Sequence, residues 1–403
     1  MFAFRSAKVR HPVRPSNALS RSEWGLNQHP FAERKATNQP PARSQPMTNS
    51  KLRFRPALSK MKAYVPGEQP QGGKFIKLNT NENPYPPAPA VVEAIRAAAD
   101  SRLERYPDPV GSSFRRMAAQ RLGLPGPEWI LCGNGSDEIL TILVRGFLSD
   151  GDLLRMPTPS YILYRTLAEI QGARCEEISF NADWTLPAAF SSSDGDPRLA
   201  LLPNPNSPSG TVLSPQAVAE IAAPLPCPLV VDEAYGDFAE ENCIELVKQH
   251  ENILVTRTLS KSYSLAGLRF GFLVAQPHVI AELTKIKDSY NCDAIAIAAA
   301  TAAMASNDWL TDNRAKILAT RERAKGKLRE LGFDVLDSAA NFLWCTHPDR
   351  ALKPIYEALK ENQVLVRYMD YAGWGDGLRI TIGTDAQIDA ALVVLARLLQ
   401  SDA

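Results

Sequence analysis

Short apolar runs alternate, along most of this chain, with stretches whose apolar residues recur at helical intervals. VVEAIRAAADSRL (91–103) and SSFRRMAAQRLG (112–123) have the helical period, and WILCGNGSDEILTILVRGFL (129–148) reads as a short strand, a glycine-rich turn and an apolar helix. Strands are expected at ARCEEIS (173–179), RLALLP (198–203), PLVVDEA (228–234), NILVTR (252–257) and RFGFLVA (269–275). Helical stretches such as PQAVAEIAA (215–223) and HVIAELTKIKDSY (278–290) separate most of them. Several of these strands are unbroken Val/Ile/Leu runs, which suits burial on both faces. The expected fold is therefore α/β, with a mostly parallel central sheet flanked by helices.

The pattern changes after residue 305. A long charged amphipathic helix, DWLTDNRAKILATRERAKGKLREL (308–331), leads into short strands at FDVL (333–336), NFLWC (341–345), VLVRY (364–368) and LRITIG (378–383), with a closing helix from Asp385. A chain of 403 residues exceeds one comfortable hydrophobic core. The expected division is a large domain over 91–305, a smaller α+β domain over 306–403, and an N-terminal arm, 51–90, that joins the smaller one. Residues 1–50 carry eight Lys/Arg against two acids and no sustained apolar period. Such a composition cannot bury enough surface to order itself, so a disordered extension is expected. A transit peptide and a non-functional extension both fit it, and the lack of a clear amphipathic helix favours the extension.

Composition excludes more than it assigns. With 45% apolar and 22% charged residues the chain is an ordinary soluble protein, and a net charge of +1 gives no reason to expect a nucleic-acid partner. The longest small-apolar run, AIAIAAATAAM (294–304), is shorter than the ~20 residues of a membrane span and reads as a buried helix. The six cysteines lack CxxC or metal-like spacing, which points to a reduced, cytoplasmic protein without a metal site.

The candidate chemistry lies in the turns that follow strands, where ligands of doubly wound sheets sit. GNGSDE (133–138) could offer the free N–H groups of a helix start to an anion, although Ser136 and Asp137 also suit ordinary caps. It is neither a Walker loop nor a dinucleotide fingerprint. Tyr161 in TPSYILY (158–164) could stack on a planar ring or belong to the core, and NPNSPSG (204–210) is a tight turn. Asp232 closes the apolar run of VVDEAY (230–235), so its half-buried carboxylate needs a cation or hydrogen-bond donors. TLSKSYSLAGLRFG (258–271) sets Lys261 between hydroxyl residues, with Arg269 further on, an arrangement suited to a bound phosphorylated aldehyde.

Together these five segments resemble the fold-type I aminotransferases, which use pyridoxal 5′-phosphate. LNTNENPYPP (78–87), RYPD (105–108) and LRITIG (378–383) are similar to the histidinol-phosphate aminotransferases among them, and the match runs in unbroken motif order over roughly residues 60–403. The resemblance implies that Lys261 carries the cofactor covalently and moves the substrate α-proton. It implies that Ser136, Ser260, Arg269 and the amides near Gly135 hold the cofactor phosphate, that Asp137 belongs to the cofactor-binding set, that Tyr161 stacks on the ring, that Asp232 pairs with the ring nitrogen, and that Tyr235 reaches the 3′-oxygen. Arg379 would clamp a carboxylate. Arg367 and Tyr64, with Tyr106 and Tyr290 of a neighbouring subunit, would approach the phosphate end of either substrate or cofactor across a homodimer.

The implied reaction converts histidinol phosphate and 2-oxoglutarate to imidazole-acetol phosphate and glutamate. An aromatic amino-acid aminotransferase or a decarboxylase of a phosphorylated amino acid shares nearly the same segments. A non-catalytic regulatory module that binds the cofactor would commonly carry a helix-turn-helix ahead of it, and none is visible in the first sixty residues. One departure stands out: relatives usually place Asn directly before the proline of the NPxG turn, whereas this chain has Ser207 there and Asn206 one residue earlier. Either could make that contact, and the role of Glu82 stays open.

Overall fold

The structure is a computed structural model that describes residues 52–401 apart from 60, 62–66, 71–73 and 102. The expected extension over 1–50 and the candidate Tyr64 lie outside the described residues. From Phe54 onward the chain forms one compact unit.

The arm contributes β1 (Ile76–Lys77). Helices α1 (Pro89–Ala99) and α2 (Ser112–Arg121) follow, then β2 (Ile130–Gly133), α3 (Ser136–Phe147), β3 (Leu153–Thr158), α4 (Leu163–Gln171) and β4 (Arg174–Ser179). Next come β5 (Pro197–Pro203), α5 (Pro215–Ala222), β6 (Leu229–Asp232), α6 (Leu246–Gln249), β7 (Ile253–Thr258) and β8 (Gly271–Val274). Three helices, α7 (Pro277–Thr284), α8 (Ala294–Ala305) and α9 (Asn307–Glu330), lead to β9 (Asp334–Val335), β10 (Phe342–Thr346), α10 (Leu352–Glu361), β11 (Val364–Leu365), β12 (Arg367–Tyr371), β13 (Gly375–Thr381) and α11 (Asp385–Ser401). Their ends follow local chemistry. The Ser214 hydroxyl accepts from Ala217 N at 3.2 Å to start α5, and Asp293 does the same for α8 through Ala296 N at 2.7 Å. Helix α9 carries Asp308 in its first turn and Lys327 and Arg329 in its last, which complements the helix dipole.

The main sheet has seven strands in the order β2-β8-β7-β6-β5-β3-β4, and only β8 runs antiparallel to its neighbours. Successive residues of β6 enter different cores: Leu229 and Val231 pack with α1, α2, α5 and α8, whereas Val230 packs with α3, α4 and α7. That two-sided burial explains the unbroken apolar runs. A third core gathers α9, α10 and α11 on β10 and β13, and Leu78 of the arm belongs to it. Parallel pairing of β1 with β11 places the arm there.

Three elements differ from the sequence expectation. Strand β3 lies in the sheet although Arg155 and Pro157 interrupt its apolar run; Arg155 is 1% exposed and donates to Glu176 Oε2 at 2.6 Å, Asp194 O at 2.6 Å and Phe190 O at 3.2 Å. The single strand expected at 364–368 is two, with β11 paired to β1 and β12 to β13. The helix expected over 278–290 ends at Thr284, and turns at 285–286 and 289–290 lead on towards α8.

Strands β5, β6 and β7 are parallel, with Pro203 opposite Asp232 and Asp232 opposite Thr256. Their carboxyl ends therefore open at one level, and the loops beyond them share one space.

Candidate active site

Those loops surround a cavity of about 900 Å³. Asp232 and Tyr235 enter it from the end of β6, Ser260 and Lys261 from the end of β7, and Pro205 and Ser207 from the turn after β5. Ser136 and Asp137 line it at the start of α3, Thr80 and Glu82 from the arm, and Arg367 and Arg379 from β12 and β13. Trp374, in the β12–β13 turn, walls one side and packs on Trp184 with ring centres 4.4 Å apart.

Asp232 is 4% exposed. Its Oδ2 accepts from the Tyr164 phenol at 2.7 Å, and its Oδ1 from the Thr256 hydroxyl at 3.1 Å and Ala234 N at 3.2 Å. Burial pushes its pKa up against the pull of these donors, and no cation among the described residues pairs with it. Lys261 lines the same cavity, with Nζ donating to Thr80 O at 3.0 Å. Burial and the nearby Arg379 charge push its amine down to about 8, with Glu82 and Asp137 pulling the other way. A buried acid in need of a cation thus shares one cavity with an amine that is easily neutralised.

An anion cradle adjoins them. Gly135, not Ser136 or Asp137, occupies the N-cap of α3, and no side chain caps that helix, so the reading of those two residues as ordinary caps does not hold. The N–H groups of the first turn are left for a ligand. Arg269 adopts a left-handed backbone, φ 51°, which is uncommon for a side chain of its size. Its Nη2 donates to Asp137 Oδ2 at 3.1 Å and its Nη1 to the Ser260 hydroxyl at 3.5 Å. Gly135 sits at φ 82°, and a Cβ there would fall 2.7 Å from Arg269 Nη2. The Tyr161 phenol donates to Asp137 Oδ1 at 3.2 Å, so its ring borders the same space.

On the far wall the Tyr235 phenol accepts from Asn81 Nδ2 at 2.9 Å. Arg379 donates to the Ser207 hydroxyl at 2.9 Å and to Asn79 O at 3.2 Å. Asn206 is not a lining residue; its amide donates to Pro159 O at 3.3 Å and to the Ser209 hydroxyl at 2.8 Å, inside the turn. Of the two, Ser207 faces the cavity. Arg367 lies directly opposite Arg379 on the antiparallel β12–β13 pair, so two guanidinium groups share one face, an arrangement that calls for an anion. Glu82 is ion-paired to Lys77 at the rim. Tyr106 and Tyr290 do not line this cavity. Their rings stack 4.4 Å apart on the surface, 81% and 45% exposed.

The family model for aminotransferase class I and II matches residues 73–395. The chain belongs to the class I and II aminotransferases. Among its relatives, a histidinol-phosphate aminotransferase of Rhodopirellula baltica is 66% identical over 350 residues, covering 87% of this chain and 97% of that protein. Histidinol-phosphate aminotransferase 1 of a Nostoc species is 46% identical over 350 residues, covering 86% and 98%. Among solved structures, the histidinol-phosphate aminotransferase of Sinorhizobium meliloti in complex with pyridoxal-5′-phosphate superposes with a TM-score of 0.82 at 28% identity, over 89% of this chain and all of that one.

Several residues of this aminotransferase site escaped the sequence reading. Tyr164 and Thr256 hold Asp232, and neither was singled out. The asparagines of LNTNEN, noted in the sequence only as part of a family motif, hold the site together: Asn81 binds Tyr235 and Thr381, Asn79 presents its carbonyl to Arg379, and Asn83 donates to Ser262 O at 2.9 Å.

Proposed function

We propose that this aminotransferase moves an amino group from histidinol phosphate to 2-oxoglutarate, yielding imidazole-acetol phosphate and glutamate, with pyridoxal 5′-phosphate as its cofactor. The observation that carries this reading is the pairing of Asp232, a buried carboxylate that no cation among the described residues joins, with the Lys261 amine depressed to about 8 in the same cavity. The residues present fit the group. Asp232 would hold a protonated ring nitrogen, Tyr235 the ring oxygen, Tyr161 the ring face, and Lys261 the aldehyde carbon. Arg269, Ser260, Ser136 and the free N–H groups of α3 would hold the phosphate, with Asp137 orienting the Arg269 guanidinium.

When bound, the cofactor supplies an aldehyde that condenses with amines and a cationic ring that draws electrons from the carbon bearing the amino group. Everything else falls to the protein. Asp232 keeps the ring nitrogen charged, and Tyr164 and Thr256 keep Asp232 aimed. Lys261 would hold and move the substrate α-proton at Nζ, for which an amine pushed down to about 8 is well matched. Thr80 O gives that amine a resting partner. Arg379 and Arg367 meet the anionic end of either substrate: histidinol phosphate has no α-carboxylate, so the same pair receives a phosphate from one substrate and a carboxylate from the other.

The enzyme works as a cytoplasmic homodimer. Six free cysteines support the reducing compartment, and no described helix is long and apolar enough to cross a membrane. The exposed Tyr106–Tyr290 stack, which does not line its own cavity, suits a contribution to the site of a second subunit.

The test is glutamate formation from 2-oxoglutarate with histidinol phosphate, phenylalanine, tyrosine or O-phosphothreonine as donor, together with borohydride reduction to fix the cofactor on the chain. Histidinol phosphate should give the highest kcat/KM, and Lys261→Ala should abolish the fixed cofactor. A preference for phenylalanine or tyrosine, or release of carbon dioxide from O-phosphothreonine, would reject the substrate. Fixed cofactor in the Lys261→Ala protein would reject the site.

A further inference from the structure

Asp232 and Lys261 stand at the ends of adjacent parallel strands, and the residue after each turns away from the cavity into a buried ion network. At its centre is Arg257 on β7, 5% exposed. Its Nε lies 2.9 Å from Glu233 Oε2, and its Nη1 donates to Asp237 Oδ1 at 2.6 Å. Glu233 is the neighbour of Asp232, and its other oxygen accepts from Cys243 N at 2.5 Å. The second oxygen of Asp237 accepts from the hydroxyl of Ser262, the neighbour of Lys261. Arg257 itself follows Thr256, which donates to Asp232. From α9, Arg314 binds Asp237 O at 2.7 Å and Ala239 O at 2.8 Å, which fixes the loop that carries Asp237.

We propose that Arg257 is a positioning residue for amino transfer: its guanidinium, clamped between Glu233 and Asp237, sets where Asp232 and Lys261 stand relative to each other. The inference rests on the aminotransferase reading above and adds a determinant of its geometry. Stability alone is a poor account of the network, because a buried cluster of two acids and one arginine is often no more stable than apolar residues of the same volume. Fixed placement is what such a cluster provides. Glu233 is joined to Asp232 by one peptide step, and Asp237 reaches Lys261 through the Ser262 hydroxyl and one peptide step, so a shift of the guanidinium is passed to both. Small misplacements of reacting groups are costly to rate, which makes such a brace worth keeping.

The test compares full-length Arg257→Met, Arg257→Lys and Ser262→Ala with wild type, all loaded with pyridoxal 5′-phosphate. The readouts are the melting temperature, the pH midpoint of the absorbance change of the lysine-bound cofactor, and kcat and KM separately. Ser262→Ala should melt close to wild type, shift the pH midpoint, and lower kcat about two- to tenfold, the effect of one ordinary hydrogen bond, with KM nearly unchanged. Arg257→Met should shift the midpoint and lower kcat further, and Arg257→Lys should recover part of the loss. Folded variants with the wild-type midpoint and kcat overturn the proposal and leave the network a structural brace. Should Arg257→Met fail to fold, Ser262→Ala decides by the same criterion. Wild type that takes up no pyridoxal 5′-phosphate overturns the aminotransferase reading, and this proposal with it.

Discussion

Gly271→Ala tests whether close backbone contact builds the anion cradle. Gly271 opens β8, which runs antiparallel to β2 beneath the loop that leads into α3. A Cβ there would meet Ser136 N, and would lie 2.6 Å from Gly135 C and 2.9 Å from Arg257 O. All three atoms are backbone, so no side chain can swing aside and the loop itself must move. Overpacking of this kind costs about 1–3 kcal/mol of stability. The moved groups include the N–H at the start of α3, where the cofactor phosphate would be held. Misaligning one hydrogen bond to a charged group costs about 1.5–3 kcal/mol, which is about a tenfold to 150-fold rise in Kd. The assay is titration of cofactor-free protein with pyridoxal 5′-phosphate, followed by absorbance, alongside melting of the cofactor-free form. Gly267→Ala is the control: its Cβ meets nothing within 4 Å, so it should leave affinity alone and change stability little. If Gly271→Ala binds the cofactor like wild type, the cradle is not built by this contact, whatever happens to the melting temperature.

Two further predictions use the charges of the cavity. The Lys261 amine has a folded pKa of about 8 against an ordinary 10.5, so between these values the unfolded chain holds a proton that the folded chain has released. Its contribution to stability is therefore intact above pH 10.5 and is lost as pH falls through 8. Because the side chain is partly open to the cavity, solvent screens some of this. Cofactor-free Lys261→Met should then be more stable than wild type by about 1–3 kcal/mol at pH 7, with the gain shrinking by pH 10; urea unfolding at both values checks it, and a pH-independent difference would contradict it. Arg379→Ala should raise KM for histidinol phosphate and for 2-oxoglutarate together by at least about tenfold, since a bidentate guanidinium serves both anions; steady-state kinetics that show only one KM affected would assign the other anion elsewhere.

What the sequence could and could not disclose follows from where each residue finds its partner. Asp232 and Lys261 drew attention because they contradict their surroundings: an acid ending an apolar strand, and a cation between hydroxyls in a turn. The central strands β5, β6 and β7 were plain for the opposite reason, since each carries an unbroken apolar run buried on both faces: LALL, LVV and ILV. Strand β3 hid because Arg155 looks like a surface residue until Glu176 and the carbonyls of Phe190 and Asp194, all later in the chain, satisfy its guanidinium. Tyr164 hid in the same way. In TPSYILY the eye falls on Tyr161, nearer the turn, yet it is the Tyr164 hydroxyl, fully buried, that reaches Asp232 from 68 residues away. Asn81 depends on Thr381, 300 positions on. A polar residue is legible when its need is visible locally and illegible when a distant partner has already met it. The positioning residues of this site are of the second kind, because the groups they brace or lean on lie far along the chain. For such residues the informative pattern is the chain of contacts, and in this fold that chain runs from Asp232 through Glu233, Arg257 and Asp237 to Ser262, beside Lys261.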